Sequence, residues 1–229
     1  MDVQEMMKSY KHLWLFAALF MFTACSQLLQ VEQKDEDGNV YERYSVHKET
    51  NQKEGLYERF YADGTVEEEA TYVHDTLDGP RKLFHPNGQL AIVENYSMGQ
   101  FVGTYESFYE DGAPEITGQY VENVMDGVWK NFYPDGQVAA VTTFADNEEN
   151  GPFEEYYRNG KMAAKGTYLE GEFEQGVLEL FAEDGSLQKK MECQRGICRT
   201  VWTAEEGDIQ MTSDSLFQKI QEISSQNIE

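Results

Sequence analysis

A glycine returns every 24 residues through the middle of this chain, at Gly55, Gly79, Gly103, Gly127 and Gly151, with Gly176 arriving one residue late. Nine positions after each stands a second glycine, preceded by Asp or Asn: Asp63-Gly64, Asn87-Gly88, Asp111-Gly112, Asp135-Gly136, Asn159-Gly160 and Asp184-Gly185. Self-similarity at a fixed period of this size marks a tandem-repeat architecture, in which one small unit is stacked on copies of itself. That outranks length as a constraint, since 229 residues alone would suggest one or two ordinary globular domains.

The residues around the second glycine give the unit its structure. Asn-Gly and Asp-Gly accept the positive φ angles of a type I′ turn, whose twist matches that of paired strands, so each dipeptide predicts a tight hairpin. Ring pairs precede it at fixed phase: Phe60 with Tyr61, Phe84 with His85, Phe108 with Tyr109, Phe132 with Tyr133, Tyr156 with Tyr157. After it come Val66, Leu90, Pro114, Val138, Met162 and Leu187, and six residues further Tyr72, Tyr96, Tyr120, Phe144, Tyr168 and Cys193. An even separation puts two strand residues on one face. Ile92, Ile116, Ala140 and Ala164 fall on that face, with Glu67, Glu115, Thr143 and Lys165 opposite, the period-2 alternation of half-buried strands. The chain is expected to reverse again at the glycine that opens the next unit. The predicted fold class is therefore all-β: tandem β-hairpins forming one elongated antiparallel meander sheet, about twelve strands extending ~60 Å.

The N-terminus carries an address. Lys8, Lys11 and His12 precede the apolar run LWLFAALFMFTA, which stops at Cys25. The run falls short of the ~20 apolar residues a membrane-spanning helix needs, and basic, apolar and small-residue segments in this order describe a secretory signal. The motif FTAC resembles the bacterial lipobox, with Phe22 where Leu is usual. The resemblance implies a signal peptide over 1–24, cleavage before Cys25 and acylation of its thiol, hence lipid attachment to a membrane in the bacterial cell envelope, facing periplasm or exterior. Residues 25–54 are polar and charged with no sustained period, and are expected to form a tether with a partial first repeat. Asp35, Asp37 and Asn39 lack the frame of a calcium loop.

The repeat units resemble the MORN family in its variant form, with GVWKNFYPDGQVAAVTTF over 127–144 as the closest copy. Tandem copies of this kind occur in YwqK-type antitoxins. The resemblance implies hairpin repeats over 55–199 that scaffold proteins or bind lipid headgroups, without an active site. A net charge of −24, from 42 acidic and 18 basic residues, repels anionic lipid headgroups and phosphate backbones, so nucleic acid is excluded as a partner.

Residues 200–229 depart from the pattern and are expected to cap the array. Leu216, Ile220 and Ile223 share one helical face, with Ser213 or Asp214 as N-cap, predicting a short amphipathic helix that covers the last sheet edge. Cys193 and Cys198 bracket four residues, and in an oxidising compartment this favours a disulfide over a free pair. A zinc site there lacks its four ligands, and no cofactor is expected. Neither a nucleophile with an adjacent His nor a phosphate-binding glycine loop appears, so the chain reads as no enzyme.

Two functions follow from this reading. One is a lipid-anchored envelope scaffold, expected to be a monomer, whose solvent-facing rings Tyr61, His85, Tyr109, Tyr133 and Tyr157 form a ladder with ~10 Å steps that grips a protein or a glycan. The other is an immunity protein that neutralises a secreted toxin, its acidity complementing a basic partner.

Overall fold

A computed structural model describes residues 27–171 and 173–209; Cys25, the apolar segment before it and the expected C-terminal helix lie outside them. The regular structure of the described residues is entirely β, in nineteen strands. They are β1 (Leu28–Lys34), β2 (Val40–His47), β3 (Lys53–Phe60), β4 (Val66–Val73), β5 (Thr76–Phe84), β6 (Leu90–Ser97), β7 (Gln100–Phe101), β8 (Gly103–Phe108), β9 (Pro114–Val121) and β10 (Val124–Met125). The rest are β11 (Gly127–Phe132), β12 (Val138–Ala145), β13 (Glu148–Tyr156), β14 (Met162–Leu169), β15 (Phe173–Glu174), β16 (Gly176–Phe181), β17 (Leu187–Gln194), β18 (Ile197–Thr203) and β19 (Gly207–Asp208). Every pairing is antiparallel and the long strands pair in chain order, as in β3 with β4, β4 with β5 and β5 with β6. The two-residue strands β7, β10 and β15 are the leading pieces of β8, β11 and β16, and each piece pairs with the same preceding strand as its continuation. The result is the predicted single-layer meander.

The two kinds of chain reversal differ from the sequence-based expectation. At the Asp-Gly turns only the glycine has positive φ, 87° at Gly64. The Gly64 N–H donates to the Tyr61 carbonyl at 2.9 Å and the Tyr61 N–H to the Thr65 carbonyl at 2.8 Å. That is a three-residue loop, a type I turn closed by a left-handed glycine, and not type I′. The residue before the glycine is Asp or Asn because its side chain caps the loop: Thr65 N–H donates to Asp63 Oδ1 at 2.9 Å, and Gln89 N–H to Asn87 Oδ1 at 2.9 Å.

The type I′ geometry belongs to the other reversals, where both central residues have positive φ: His74 (50°) with Asp75 (65°), Glu122 (51°) with Asn123 (71°), Asp146 (54°) with Asn147 (67°). The unit-opening glycines are therefore not where the chain turns back. Gly55 lies inside β3 opposite Tyr72, where the register with β2 slips between Tyr44 and Val46. Its φ is 84° and the space a Cβ would enter is open, so backbone conformation, not crowding, demands glycine there.

A second bulge follows each Asp-Gly turn, where Arg59 pairs with Glu68 but Phe60 with Val66. It breaks the strict alternation read from sequence. Glu67 and Glu68 both reach Arg59, at 2.8 and 3.2 Å, and Glu115 accepts from the Ser107 hydroxyl at 3.2 Å, so Glu67 and Glu115 do not point away from that face.

Residues 28–47, expected within a tether and partial first repeat, are regular structure. They form hairpin β1–β2, closed at Gly38 by the same bonds as the later turns: Gly38 N–H to the Asp35 carbonyl and Asp35 N–H to the Asn39 carbonyl. Gly38 precedes Gly64 by 26 residues because the reversal after β2 is longer; His47 N–H bonds the Gln52 carbonyl across a four-residue loop, where Val73 and Thr76 flank only two. Likewise the late arrival of Gly176 is one extra residue between Leu169 and Phe173. At the other end, β18 carries the sheet past residue 199.

Candidate binding face

Since the sheet has one layer, whatever packs must pack within a face. Two rows of side chains fill one of them. The first stands two residues after each opening glycine: Tyr57, Arg81, Tyr105, Trp129, Phe153 and Leu178. The second is the row Tyr72, Tyr96, Tyr120, Phe144, Tyr168 and Cys193, each in register with an opening glycine, as Gly103 with Tyr120 and Gly127 with Phe144. The rows interlock. Tyr105 lies 5.6 Å from Trp129, Tyr120 stands edge-on to Trp129 at 5.3 Å, and Trp129 meets Phe144 at 6.0 Å. Phe153 stacks on Tyr168 at 4.2 Å. Trp129 fits because its neighbour across the strand is Gly118, where a Cβ would stand 2.1 Å from the indole. The tryptophan is 6% exposed while Tyr105, Tyr120 and Phe144 remain half-buried, so the face presents aromatic edges to solvent.

At the N-terminal end the first row continues through Tyr57, which lies 6.3 Å from Tyr44 and 5.6 Å from Tyr72. The Lys53 ammonium sits over all three rings at 4.8, 4.7 and 5.2 Å. Between Tyr72 and Tyr96 the aromatic row is interrupted by Arg81. Its guanidinium bonds Glu68 at 2.6 Å and Glu94 at 2.9 Å, carboxylates only 4% and 8% exposed, and Arg59 reaches Glu68 from the other side. Burial pulls the Arg81 guanidinium down, but its bonds to the two glutamates outweigh that and hold it above its ordinary value. Tyr96 donates to Glu94 at 3.1 Å, and burial together with the Glu94 charge pushes its hydroxyl up to about 12. Burial and the bond to Glu42 also raise the Tyr57 hydroxyl.

The ring ladder proposed from sequence has a different geometry from free solvent-facing platforms. Tyr61, His85, Tyr109, Tyr133 and Tyr157 are half-buried, as are Phe60, Phe84, Phe108, Phe132 and Tyr156 beside them. Their polar atoms are spent within the sheet. Tyr61 Oη donates to the Phe84 carbonyl at 2.6 Å, Tyr109 to Phe132 at 2.7 Å, Tyr133 to Tyr156 at 2.7 Å, and Tyr157 to Phe181 at 2.8 Å. His85 Nε2 takes the same place against the Phe108 carbonyl at 2.8 Å. These residues join each unit to the next. The row two past the glycine is absent from the sequence-based expectation, although its aromatics at 57, 105, 129 and 153 keep the 24-residue phase.

Cys193 and Cys198 stand opposite each other on β17 and β18 and are joined by a disulfide. Cys193 occupies the place of a ring in the second row, so the last aromatic position is covalently closed. Among the described residues, no three His, Cys, Asp or Glu side chains are grouped to hold a metal ion.

This arrangement defines a class, a solenoid-like single-layer hairpin repeat. The family model described as MORN repeat variant matches residues 53–74, 77–98, 101–122, 125–146 and 149–170, and the chain belongs to the MORN-variant repeat proteins. Each match spans one hairpin from reversal to reversal, and the hairpins β1–β2 and β16–β17 extend the same geometry beyond the matched copies. No curated protein matches the chain. MORN repeats suit a repeat scaffold for binding, in an all-β fold that is typically non-catalytic.

Proposed function

We propose that this protein is a non-catalytic scaffold, tethered to a bacterial envelope membrane by lipid on Cys25, that binds a protein or glycan along its aromatic face. One observation carries the reading: the rows through Tyr105, Tyr120 and Phe144 stay half-exposed on a sheet of one layer, with every described element in contact only with near neighbours in the meander. A half-exposed aromatic surface of this length is characteristic of recognition sites. Affinity capture from intact cells with crosslinking tests it. The expected result is recovery of an envelope protein or glycan that is lost with Tyr105→Ser and Tyr120→Ser in a chain of unchanged circular dichroism. Undiminished capture by that variant overturns the assignment of the face. Cys25→Ser is expected to move the protein from the membrane to the soluble fraction, and retention at the membrane overturns the tether.

A second reading, neutralisation of a secreted basic toxin, draws on the acidic residues that crowd the type I′ rim, among them Glu122, Asp126, Asp146, Glu148 and Glu170. Rescue of growth against a toxin encoded beside this gene distinguishes it, and a chain that rescues nothing and captures only envelope components removes it.

A further inference from the structure

The reverse of the aromatic face carries a row of its own. The residue after each member of the first aromatic row, such as Lys130 after Trp129, points to that opposite side. Direct pairing then links these residues across the sheet. Glu69 stands opposite Lys82, Lys82 opposite Val93, and Val93 opposite Glu106. Thr117 lies between Glu106 and Lys130. On the far side Lys130 is opposite Val141, Val141 opposite Glu154, and Glu154 opposite Lys165.

Outward from Thr117 the two halves of this row are charge-reversed copies of each other: glutamate, valine, lysine, glutamate on one side, and lysine, valine, glutamate, lysine on the other. The row is neutral, in a chain of net charge −24. Lys82 is held by Glu69 at 3.7 Å and Lys165 by Glu179 at 2.8 Å, whereas Glu106 and Lys130 make no ion pair among the described residues. The next row toward the reversals is symmetric as well, since Leu56 and Val177 lie on strands equally far from β9, and so do Pro80 and Pro152. Leu56, Val128 and Val177 are each more than half exposed. The centre of symmetry is also the middle of the described sheet: β9 stands seven pairings, ~34 Å, from β1 and from β18 alike. A partner of another kind has no need of this symmetry, but a second copy does.

We propose that this face packs on the same face of a second copy, about a two-fold axis that runs along β9 at Thr117. The axis reverses the order of the units and lays each rim over its own counterpart. Glu106 of each chain meets Lys130 of the other, Val93 meets Val141, Lys82 meets Glu154, and Glu69 meets Lys165. Leu56 comes over Val177 and Pro80 over Pro152, which covers exposed apolar surface. Sheets stacked face to face stand ~10 Å apart, within reach of these side chains. Beyond them Arg43 and Glu58 meet Lys190 and Glu179, two ion pairs already closed within their own chains at 3.3 and 3.0 Å. The contact uses one patch on both chains, so it closes at two copies instead of growing into a filament. It leaves both aromatic faces pointing outward, and it departs from the monomer suggested by the sequence alone.

Sedimentation velocity tests this on the chain from residue 25 onward with Cys25→Ser, the form left after cleavage. The expected mass is that of two chains. Lys130→Glu sets glutamate against Glu106 of the partner, and Glu106→Lys sets lysine against Lys130, so each variant alone is expected to sediment as one chain with unchanged circular dichroism. Mixed in equal amounts the two variants complement each other, and the two-chain mass is expected to return. A one-chain mass for the parent at every accessible concentration, the result if residues 210–229 or a different protein cover this face, overturns the proposal. So do single variants that sediment as two chains, or a mixture that stays at the mass of one.

Discussion

The hydroxyl of Tyr109 donates to the carbonyl of Phe132 at 2.7 Å, reaching 23 residues ahead to the residue just before its counterpart Tyr133 in the next unit. It is one rung of a ladder that ties successive hairpins together on the Asp-Gly side of the sheet. Tyr109→Phe keeps the ring and leaves the Phe132 carbonyl short of its donor, so unfolding free energy is expected to fall by about 1 kcal/mol. Because each rung links only neighbours, Tyr61→Phe and Tyr133→Phe are expected to cost similar amounts that add in the triple variant. Urea unfolding measures this, and a triple variant as stable as the parent would remove the ladder from the stability of the array.

Arg81 holds two carboxylates that water barely reaches. Arg81→Ala takes the shared cation from Glu68 and Glu94, leaving Glu68 to Arg59 alone and Glu94 without its ion pair, and the expected loss is about 3–5 kcal/mol. The neighbouring units show how the site can be neutralised: where the second has Arg81, Glu68 and Glu94, the third has Tyr105, Ile92 and Gly118, and the first has Tyr57 and Ala70. The triple variant Arg81→Tyr, Glu68→Ile, Glu94→Ala is expected to recover most of that loss in the same urea measurement, because charge and counter-charge leave together.

Alkaline stability follows from Tyr96. Its hydroxyl gives up a proton near the ordinary 10.0 when unfolded but only at about 12 in the fold, held first by burial and then by the Glu94 charge. A raised value means the contribution is whole below pH 10 and is lost as pH climbs toward 12. The melting temperature is expected to drop across that window, and less steeply for Tyr96→Phe. Parallel slopes for the two proteins would show that Tyr96 does not titrate as stated.

Two glycines of different purpose give different signatures. At Gly127, φ is 76° with empty space around, so Gly127→Ala costs only backbone strain, about 1–2 kcal/mol, and leaves the packed rings in place. At Gly118 the backbone is ordinary but the new methyl meets the Trp129 indole, so Gly118→Ala must push the ring outward at about 1–3 kcal/mol. Tryptophan emission is expected to shift for Gly118→Ala and to hold for Gly127→Ala.

The hairpin unit was legible in the sequence because it is enforced locally, by Asp or Asn before a glycine that takes positive φ and by ring pairs at constant phase. The turn types were not. Asp63-Gly64 looks like a two-residue loop until the Tyr61 to Thr65 bond shows that Ala62 belongs to it, whereas His74-Asp75 is a type I′ turn without any glycine. Its trace in sequence is the small polar or glycine residue at Asp75, Gly99, Asn123 and Asn147, whose N–H bonds the carbonyl of the reversal before it. The β1–β2 hairpin read only as a partial repeat with a tether because its longer reversal put Gly38 out of phase. Arg81 escaped because the row it interrupts shows only once the strands are paired, since charge in an acidic chain reads as solvated surface until register brings Glu68 and Glu94 to it.

Among the described residues, both rims of the sheet bond each unit to the units beside it, at the Asp-Gly side through rungs such as Tyr133 to Tyr156 and at the reversal side through Asn123 to Phe101. None of these bonds depends on how many units there are. Gaining or losing one hairpin by gene duplication or deletion therefore changes reach by ~10 Å without asking any other residue to adapt, which makes the array a ruler whose length can evolve separately from whatever it holds.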